Sequence, residues 1–297
     1  MKSAMPSSVS SGYGAVLRTG IACIHYDYIV IIDGDGSYSA VDILRLWKNI
    51  CMDKIIITTS WDDGPADNLR LTELLNKYNL KATFYLAKNH IGKAENEIKE
   101  IAKTQEIGAH TLTHPSLTEI SLSKAEEEIK GSKDYLENLL SREVKMFSYP
   151  RGLYNEEIKE LVKRAGFIGA RTVKTFNSQP PKDFFSWDPT IHLYPHPFRK
   201  RDAKTFHLSR HLLDPFWQNF SGLVKWNLSP SAYLNWPVLA KATFDYVYKN
   251  GGVWHLWGHC IEIEKYNMWS DLENIFIYIK GFDNVKFLTN GDYLQQL

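Results

Sequence analysis

The stretch "DKIIITTSWDDGP", residues 53–65, passes from an apolar, β-branched run into two adjacent aspartates and a Gly-Pro break. Residues 54–60 have the composition of a buried strand, and Asp62 and Asp63 follow closely. Neighbouring carboxylates repel each other, and burial makes each harder to ionise. Asp, Gly and Pro are also ordinary turn residues. The pair therefore predicts either a polar turn or part of a cation site whose other ligands lie elsewhere in the chain.

After this strand the chain alternates short apolar segments with amphipathic helices. In "LRLTELLNKYNL" the apolar residues fall at the i, i+3, i+4 and i+7 spacing of one helical face. Alternating strands and helices predict parallel βα units, whose ligand sites lie at the carboxyl ends of the strands. The two aspartates stand at such an end. The predicted strands include 54–60, 81–87, 106–110 and 251–259, and the predicted helices include 69–80, 95–105, 123–140 and 270–280.

The composition restricts the classes of function. With 297 residues, of which 44% are hydrophobic, the chain can hold one large domain or two smaller ones. There are 35 Lys and Arg against 34 Asp and Glu, so the net charge is +1 and no nucleic-acid partner is expected. Aromatic residues reach 13%. Such rings serve sugar-binding enzymes as apolar platforms, although packing is their commoner use.

The cellular compartment is predicted from features that the sequence lacks. Cys23, Cys51 and Cys260 are too few and too scattered for a disulfide framework or a cysteine zinc site. The first 14 residues contain no apolar stretch of the kind a signal peptide needs. No segment is long and apolar enough to span a membrane. We therefore expect a cytoplasmic protein without an integral membrane segment.

Two histidines come just after the predicted strand that includes residues 106–109. His110 and His114 are four residues apart in "HTLTHPSL". A turn would place both imidazoles on one side, and His is a frequent ligand of divalent metals. Alone, this spacing is also common in surface turns. Combined with an aspartate, it predicts a site of one carboxylate and two imidazoles with open positions, which suits zinc and also iron or cobalt.

The first 51 residues do not continue the strand–helix series. The segment "YIVIIDGDGSYSAVDILRLW", residues 28–47, is a strand, an Asp-rich turn and a helix. Residues 10–50 resemble a fragment of the family 2 glycosyltransferases, whose Asp-x-Asp motif is matched by Asp33 and Asp35. The nucleotide-binding strands and the acceptor half of that family are missing. We therefore interpret 1–51 as a non-functional glycosyltransferase-like fragment.

The remainder, residues 52–297, resembles a known hydrolase family. The motifs "TTSWDDGP", "EIGAHTLTHPSL", "FSYPRGLYN" and "GGVWHLWGH" occur in the order found in the polysaccharide deacetylases, carbohydrate esterase family 4 or the NodB type. The resemblance covers residues 52 to about 290. It implies an α/β fold, a distorted (β/α) barrel, and metal-dependent removal of an N-acetyl or other N-acyl group from an amino sugar.

That resemblance also implies the roles of five residues. The general base is Asp62, and the general acid is His259 at the end of "VWHLWGH". The ligands of a divalent metal are Asp63, His110 and His114, with zinc as the expected ion and cobalt or iron as alternatives. A bound cation would explain the adjacent aspartates, because it stabilises one carboxylate while the other stays free to accept a proton.

The predicted substrate-binding residues are Tyr149, Arg151 and Trp187. The third family motif, laid on "FSYPRG", makes the amide of Arg151 the oxyanion donor, since proline has no N–H. Where the family has an arginine that pairs with the base, this chain has Ser148. Either Arg151 or Arg171 is then a candidate to reach the base, and either is equally a candidate solvated surface charge.

The fourth family motif is matched less well. It normally supplies an aspartate that polarises the acid histidine, and here Trp187 and Asp188 stand in "FFSWDPT" at a different spacing. We expect His255 to pack beneath the site and Cys260 to be inert. No role is assigned to four further histidines, which are His192, His196, His207 and His211.

Several alternatives stay open from the sequence. The substrate is a polysaccharide, an oligosaccharide or a glycolipid, and thus either free or lipid-linked. A protein of the same fold that holds a metal but only binds carbohydrate is one competing hypothesis. An amidohydrolase acting on a non-sugar amide is another. The presence of the predicted base and acid favours the sugar deacetylase.

Overall fold

A computed structural model describes residues 55–64, 67–194 and 214–297 of the chain. The chain divides between Asp53 and Lys54 into two units, and the described residues all belong to the second. The predicted glycosyltransferase-like fragment, with Asp33 and Asp35, lies outside the described residues.

The second unit is built on one parallel, curled sheet. Seven strands follow the order β5-β4-β3-β2-β1-β7-β6, and β8 pairs with β1 outside that path. The sheet and its helices form the predicted distorted (β/α) barrel, which is confirmed. The strands are β1 (Ile55–Asp63), β2 (Ala82–Leu86), β3 (Glu106–Ala109), β4 (Met146–Ser148), β5 (Gly169–Arg171), β6 (Ile191–His192), β7 (Val253–His259) and β8 (Val285–Phe287).

Helices connect the strands and cover the outside of the sheet. Helix α5 begins after Asn155, whose side chain accepts a hydrogen bond from Ile158 N at 2.9 Å. Helix α4 is capped by Ser121 and begins at Leu122, one residue before the predicted start of the helix at 123–140. The helices are α1 (Asn68–Lys77), α2 (Lys88–Ile91), α3 (Glu95–Ile101), α4 (Leu122–Leu140), α5 (Glu156–Arg164), α6 (Asp214–Lys225), α7 (Trp236–Asn250), α8 (Cys260–Lys265), α9 (Trp269–Lys280) and α10 (Asn290–Leu294).

Strand β1 is the centre of the sheet and pairs with three other strands. Residues 56–62 pair with β7, and residues 59–63 pair with β2 on the opposite edge. Because β2 reaches β1 only from Thr59 onward, residues 55–57 leave part of that edge free, and β8 pairs there. The first strand of the barrel is thus held by strands from the far end of the chain.

The segment from Trp187 to His192, which includes the edge strand β6, contacts both β5 and β7. Trp187 forms a parallel bridge with Arg171 of β5. Four residues later, Ile191 pairs with Leu256 of β7. This short segment therefore links the ends of the curled sheet.

The two faces of β1 differ in chemistry. Ile55, Ile57 and Trp61 are fully buried in the main hydrophobic core. Thr58, Ser60 and Asp62 alternate with them, because side chains along a strand point to opposite faces, and they are also buried. This polar face meets the same face of β7, where Ser60 Oγ lies 2.8 Å from His255 Nε2. The barrel interior is therefore lined with polar groups that need partners.

Within the described residues, no helix has both the length and the apolar character required to cross a membrane.

Candidate active site

The carboxyl ends of β1 and β3 bring one carboxylate and two imidazoles together. Asp63 ends β1, and His110 and His114 follow β3. Asp63 Oδ1 lies 3.7 Å from His110 Nε2 and 3.4 Å from His114 Nε2. Asp63 and His114 both have left-handed backbone, with φ of 81° and 61°. A backbone of this kind is strained for residues other than glycine, so the surrounding fold must hold these positions.

The donor set fits a divalent transition metal. His110 Nδ1 lies 2.7 Å from the carbonyl oxygen of Ser148, which fixes the proton there and leaves the Nε2 lone pair facing Asp63. Burial lowers the pKa of His110 to about 4 and also lowers the pKa of His114, so both rings are neutral near pH 7. Asp63 Oδ1 is buried without a hydrogen-bond partner among the described residues. Such an orphaned atom between two lone pairs is what a cation would satisfy.

The loop that carries the two histidines is fastened to α4 by Glu128. This buried carboxylate accepts hydrogen bonds from Leu112 N at 2.9 Å, Thr113 N at 2.8 Å and Thr113 Oγ1 at 2.6 Å. One turn further along α4, a Cβ on Gly131 would lie only 2.7 Å from Leu112 Cδ1. Glu128 thus binds the loop to the helix, and Gly131 allows Leu112 to pack closely against it. Glu128 could not be recognised from the sequence, because the segment around it has the pattern of an ordinary amphipathic helix.

Asp62 is paired with Arg171, and this resolves the question left by Ser148. Arg171, fully buried at the end of β5, donates through Nη2 to both Asp62 Oδ2 and Ser148 Oγ. Its Nη1 donates to the Thr172 carbonyl oxygen at 2.7 Å. Arg151, the other candidate, instead donates to Ser116 Oγ at 3.1 Å. The cation that the family places on the third motif is therefore supplied here by the next strand.

The surroundings of Asp62 keep it ionised. Burial alone would raise its pKa, but the Arg171 guanidinium together with His110 and His259 outweighs that effect and holds the pKa below the ordinary value. The guanidinium in turn lies 4.7 Å from the centre of the Trp257 ring and 5.3 Å from that of Tyr85. Asp62 Oδ1 has no hydrogen-bond partner among the described residues. One oxygen is held in place while the other is left without a partner.

His259 lies between two carboxylates at the end of β7. Its Nε2 is 3.7 Å from Asp63 Oδ2, and its Nδ1 is 3.3 Å from Glu262 Oε2. Burial would lower its pKa, but the hydrogen bond to Glu262 and the nearby acidic groups raise it above the ordinary value. Asp188, the sequence-based candidate for the partner of this histidine, binds Thr172 Oγ1 instead. Sequence reasoning missed Glu262, although its position three residues after His259 at a helix start was a usable signal.

The three predicted substrate-binding residues differ in their surroundings. Arg151 has a left-handed φ of 57°, and its side chain is exposed. Tyr149 is fully buried, its hydroxyl donates to the Phe185 carbonyl oxygen at 2.9 Å, and its ring stacks on Tyr154. The Tyr149 side chain thus has no exposed surface in this structure, and its role in substrate binding stays a prediction.

Trp187 is buried in the same way, and its role in substrate binding also stays a prediction. Its side chain is 1% exposed and packs against His255 at 4.8 Å and Tyr293 at 5.5 Å between ring centres. It therefore belongs to the barrel interior. His255 packs beneath the site as expected, and burial raises the pKa of the Cys260 thiol, which leaves it unreactive.

One of the unassigned histidines lies beside the site. His192 in β6 stacks on Trp257, with ring centres 3.9 Å apart. Burial lowers the pKa of His192 to about 3. The other three, His196, His207 and His211, are outside the described residues.

A parallel α/β barrel with an ionised carboxylate, a paired imidazole and a three-ligand donor set at its strand ends defines a class of hydrolases. Residues 49–170 match the family model described as polysaccharide deacetylase. The resemblance read from the motifs is thus confirmed, and residues 49–170 are similar to the polysaccharide deacetylases. The predicted glycosyltransferase likeness of residues 10–50 is not borne out.

Curated relatives support the assignment. Over 132 residues the chain is 30% identical to the peptidoglycan-N-acetylglucosamine deacetylase of Bacillus cereus, which covers 43% of this chain and 60% of that protein. The Bacillus subtilis protein YxkH is 31% identical over 121 residues, covering 39% and 43%. The chitooligosaccharide deacetylase of Azorhizobium caulinodans is 27% identical over 152 residues, covering 48% and 68%. The chain thus matches about half the length of the first two relatives.

Solved structures share the fold. A Mycobacterium smegmatis protein of the polysaccharide deacetylase type superposes with a TM-score of 0.60 at 14% identity, covering 82% of this chain and 90% of that one. The peptidoglycan deacetylase PdaC of Bacillus subtilis superposes with a TM-score of 0.51 at 16% identity, covering 82% and 91%. At such identities the likeness shows the barrel alone.

Proposed function

We propose that this protein is a divalent metal-dependent deacetylase that removes an N-acetyl group from an amino sugar in a carbohydrate substrate. The observation that carries the proposal is the juxtaposition at the strand ends. The donor atoms of Asp63, His110 and His114 lie within 4.8 Å of one another. On either side of them stand the ionised Asp62 and the Glu262-paired His259.

Asp63, His110 and His114 would hold the ion. A divalent metal in such a site supplies Lewis-acid polarisation of a carbonyl and lowers the pKa of water from about 16 to about 7. Zinc suits two imidazoles and a carboxylate best, and cobalt or iron are alternatives. These three ligands leave coordination positions open, as catalytic sites require.

Asp62 is the proposed general base. Because Arg171 keeps its pKa low, Asp62 is a carboxylate throughout the neutral range and can accept a proton from an attacking water. Arg171 occupies Oδ2, so Oδ1 is the atom available for the proton. The base is therefore oriented as well as charged.

His259 is the proposed general acid. Cleaving an amide requires a proton on the departing amine, and the raised pKa of His259 keeps the imidazolium form present at higher pH than usual. Glu262 fixes the ring by accepting from Nδ1, which directs Nε2 toward Asp63 and the reacting groups. The backbone N–H of Arg151 is the proposed donor to the developing oxyanion.

Relatives indicate the class of substrate. Two of the curated proteins named above are deacetylases of peptidoglycan N-acetylglucosamine and of chitooligosaccharides. Both are chains of N-acetylated amino sugars. The proposal therefore covers that class of substrate, in polymeric, oligomeric or lipid-linked form.

The decisive experiment measures acetate and metal together. Chelator-treated protein, reloaded with Zn²⁺ or Co²⁺, is incubated with chitooligosaccharides and with peptidoglycan fragments, and free acetate is assayed. We expect release only from the reloaded protein, and we expect the His114→Ala variant to lose both ion and activity. His90→Ala is the matched control, because its imidazole lies near His114 but outside the ligand set.

Two outcomes would contradict the proposal in different ways. Acetate release by the metal-free protein would remove the metal from the reaction. Stoichiometric metal binding with no acetate from any substrate would favour the competing hypothesis, a carbohydrate-binding protein of the same fold.

We further propose that residues 1–51 take no part in hydrolysis. All proposed acid, base and ligand residues lie between Asp62 and Glu262. The double substitution of Asp33 and Asp35 by alanine should therefore leave acetate release unchanged. A loss of turnover with full metal content would show that the fragment contributes to the reaction.

A further inference from the structure

A second cluster of metal-ligating groups lies beside the proposed catalytic centre. It consists of His192 in β6, His259 at the end of β7, and Glu262 in the first turn of α8. One donor atom from each lies within 4.8 Å of the other two. None of these residues is among the ligands of the first set, which are Asp63, His110 and His114.

The spacing of the donors suits a small transition metal. Ligand atoms at about 2.0–2.1 Å from a tetrahedral zinc are roughly 3.4 Å from one another. Glu262 Oε2 lies 3.3 Å from His259 Nδ1 and 3.9 Å from His192 Nε2. The donor atoms of the two imidazoles lie within 4.8 Å of each other, so a side-chain adjustment would bring all three donors into one coordination sphere.

The fold fixes these donors in advance. The His192 ring is stacked on Trp257, with 3.9 Å between centres and 11° between planes. His192 Nε2 is buried and has no hydrogen-bond partner among the described residues. β6 and β7 are paired at this point, His192 opposite Trp257. The two imidazoles are therefore presented by neighbouring strands, as in many metal sites.

We propose that His192, His259 and Glu262 form a second, inhibitory site for a divalent transition metal such as Zn²⁺. The two sites adjoin, because His259 directs Nε2 toward Asp63 of the first set at 3.7 Å and Nδ1 toward Glu262 of the second. An ion in the second site displaces the His259–Glu262 hydrogen bond.

Occupancy of the second site removes the acid. An imidazole whose Nδ1 is bound to a metal cannot also carry a proton there, so the ring no longer forms the imidazolium that protonates the amine. The loss approaches the factor of about 10²–10⁴ that one acid–base group supplies. The predicted inhibition rests on the proposed deacetylase function. The predicted number of bound ions is independent of that function.

The first test is the ion stoichiometry. Metal-free protein is titrated with Zn²⁺ by calorimetry and with Co²⁺ by absorption spectroscopy. We expect two ions per chain in the wild type and one in His192→Phe, because phenylalanine keeps the stacking on Trp257 but removes the nitrogen. His90→Phe, which removes an imidazole outside both sets, should retain two.

The second test is inhibition by excess metal. Wild-type turnover should rise with the first equivalent of Zn²⁺ and fall as the second site fills. His192→Phe should match the wild type at one equivalent and resist the excess. If circular dichroism shows that this variant is misfolded, His192→Asn replaces it.

Three results would overturn the proposal. A wild-type protein that binds a single ion has no second site. Retention of the second ion by His192→Phe would place it elsewhere. Equal inhibition of both proteins by excess Zn²⁺ would show that inhibition does not arise at His192. Because the stoichiometry needs no substrate, its outcome stands even if no carbohydrate is hydrolysed.

Discussion

Two carboxylates in the barrel, the buried Asp62 and the half-buried Glu106, lie at opposite ends of the strands and have pKa values shifted in opposite directions. Asp62 lies near the carboxyl end of β1 beside the Arg171 guanidinium, which lowers its pKa. Glu106 begins β3 at the amino end, and burial raises its pKa. The same side-chain chemistry in one barrel is thus held charged at one end and driven toward neutrality at the other.

Asp62 and Glu106 also differ in their hydrogen bonds. Glu106 accepts from Thr83 Oγ1 at 2.6 Å and from Gly291 N at 2.9 Å, which join β3 to β2 and to α10. Asp62 keeps one oxygen without a partner among the described residues. The two hydrogen bonds of Glu106 Oε2 thus join neighbouring elements of the fold. A buried, charged group with an unused atom is placed for a reaction.

The largest effect expected from this comparison is on turnover. Asp62→Asn preserves shape but removes the base, so kcat should fall by about 10²–10⁴ with metal content unchanged. Glu106→Gln is the matched control at the other end of the barrel and should leave kcat unchanged. Acetate release and elemental analysis measure both. A comparable loss of kcat in both variants would show that the carboxylates at the two ends of the barrel do not differ in function.

The variant Arg171→Gln tests whether Arg171 is what keeps Asp62 charged. Removing one partner of a buried ion pair costs about 3–5 kcal/mol of unfolding free energy, to be measured by denaturant unfolding. Ser148→Ala, which removes only the other acceptor of the guanidinium, is the control and should cost far less.

The same variant has a predicted pH effect. In the wild type the pKa of Asp62 is lowered, so its contribution to stability is present above the unfolded pKa and is lost as the pH falls through the folded value. Without Arg171, burial raises that pKa, and the acid limb of the activity profile should move to higher pH. An unshifted limb would show that Arg171 does not control the base.

An intermediate effect is expected on metal affinity. Glu128 touches no predicted ligand but holds Leu112 and Thr113 of the ligand loop. Glu128→Ala should weaken Zn²⁺ binding by about 10–100-fold, the usual effect of losing an outer partner, as measured by chelator competition. Glu126→Ala on the same helix, whose side chain is exposed, is the control. Unchanged affinity in Glu128→Ala would mean that the loop holds its shape alone.

The smallest effect concerns the pH dependence of stability at the amino end. Because the folded pKa of Glu106 is raised, its contribution to stability is present below the unfolded pKa and is lost as the pH rises through the folded value. Glu106→Gln should flatten this part of the curve, which unfolding at a series of pH values would show. An unaltered slope would indicate that another group titrates.

Much of the fold and most of the proposed centre could be predicted from local patterns. Strand and helix periodicities are local, and the short motifs at strand ends identified Asp62, Asp63, His110, His114 and His259. The structure places all five together. The helix boundaries were less certain, since the helix predicted from residue 123 begins at Leu122, after the capping residue Ser121.

The supporting partners could not be predicted, because they depend on how the barrel closes. Arg171 reaches Asp62 across 109 positions of sequence, and nothing near either residue distinguishes that contact from a surface charge. Trp187 is the opposite case. Its aromatic ring would suit a sugar platform, but the segment from Trp187 to His192 directs the ring into the barrel interior. Such outcomes are set by tertiary packing.

The position of β1 has a consequence for how the domain acquires its structure. One edge of β1 is completed by β7 and the opposite edge is extended by β8, so Ile56 must pair with Val253 and Ile55 with Val285. Contacts at such separations carry a large loop-closure entropy and slow the folding reaction. During synthesis the edge of β1 that pairs with β7 stays unpaired until residues 253–259 have been made. We therefore expect the domain to fold late and to need protection from aggregation until then.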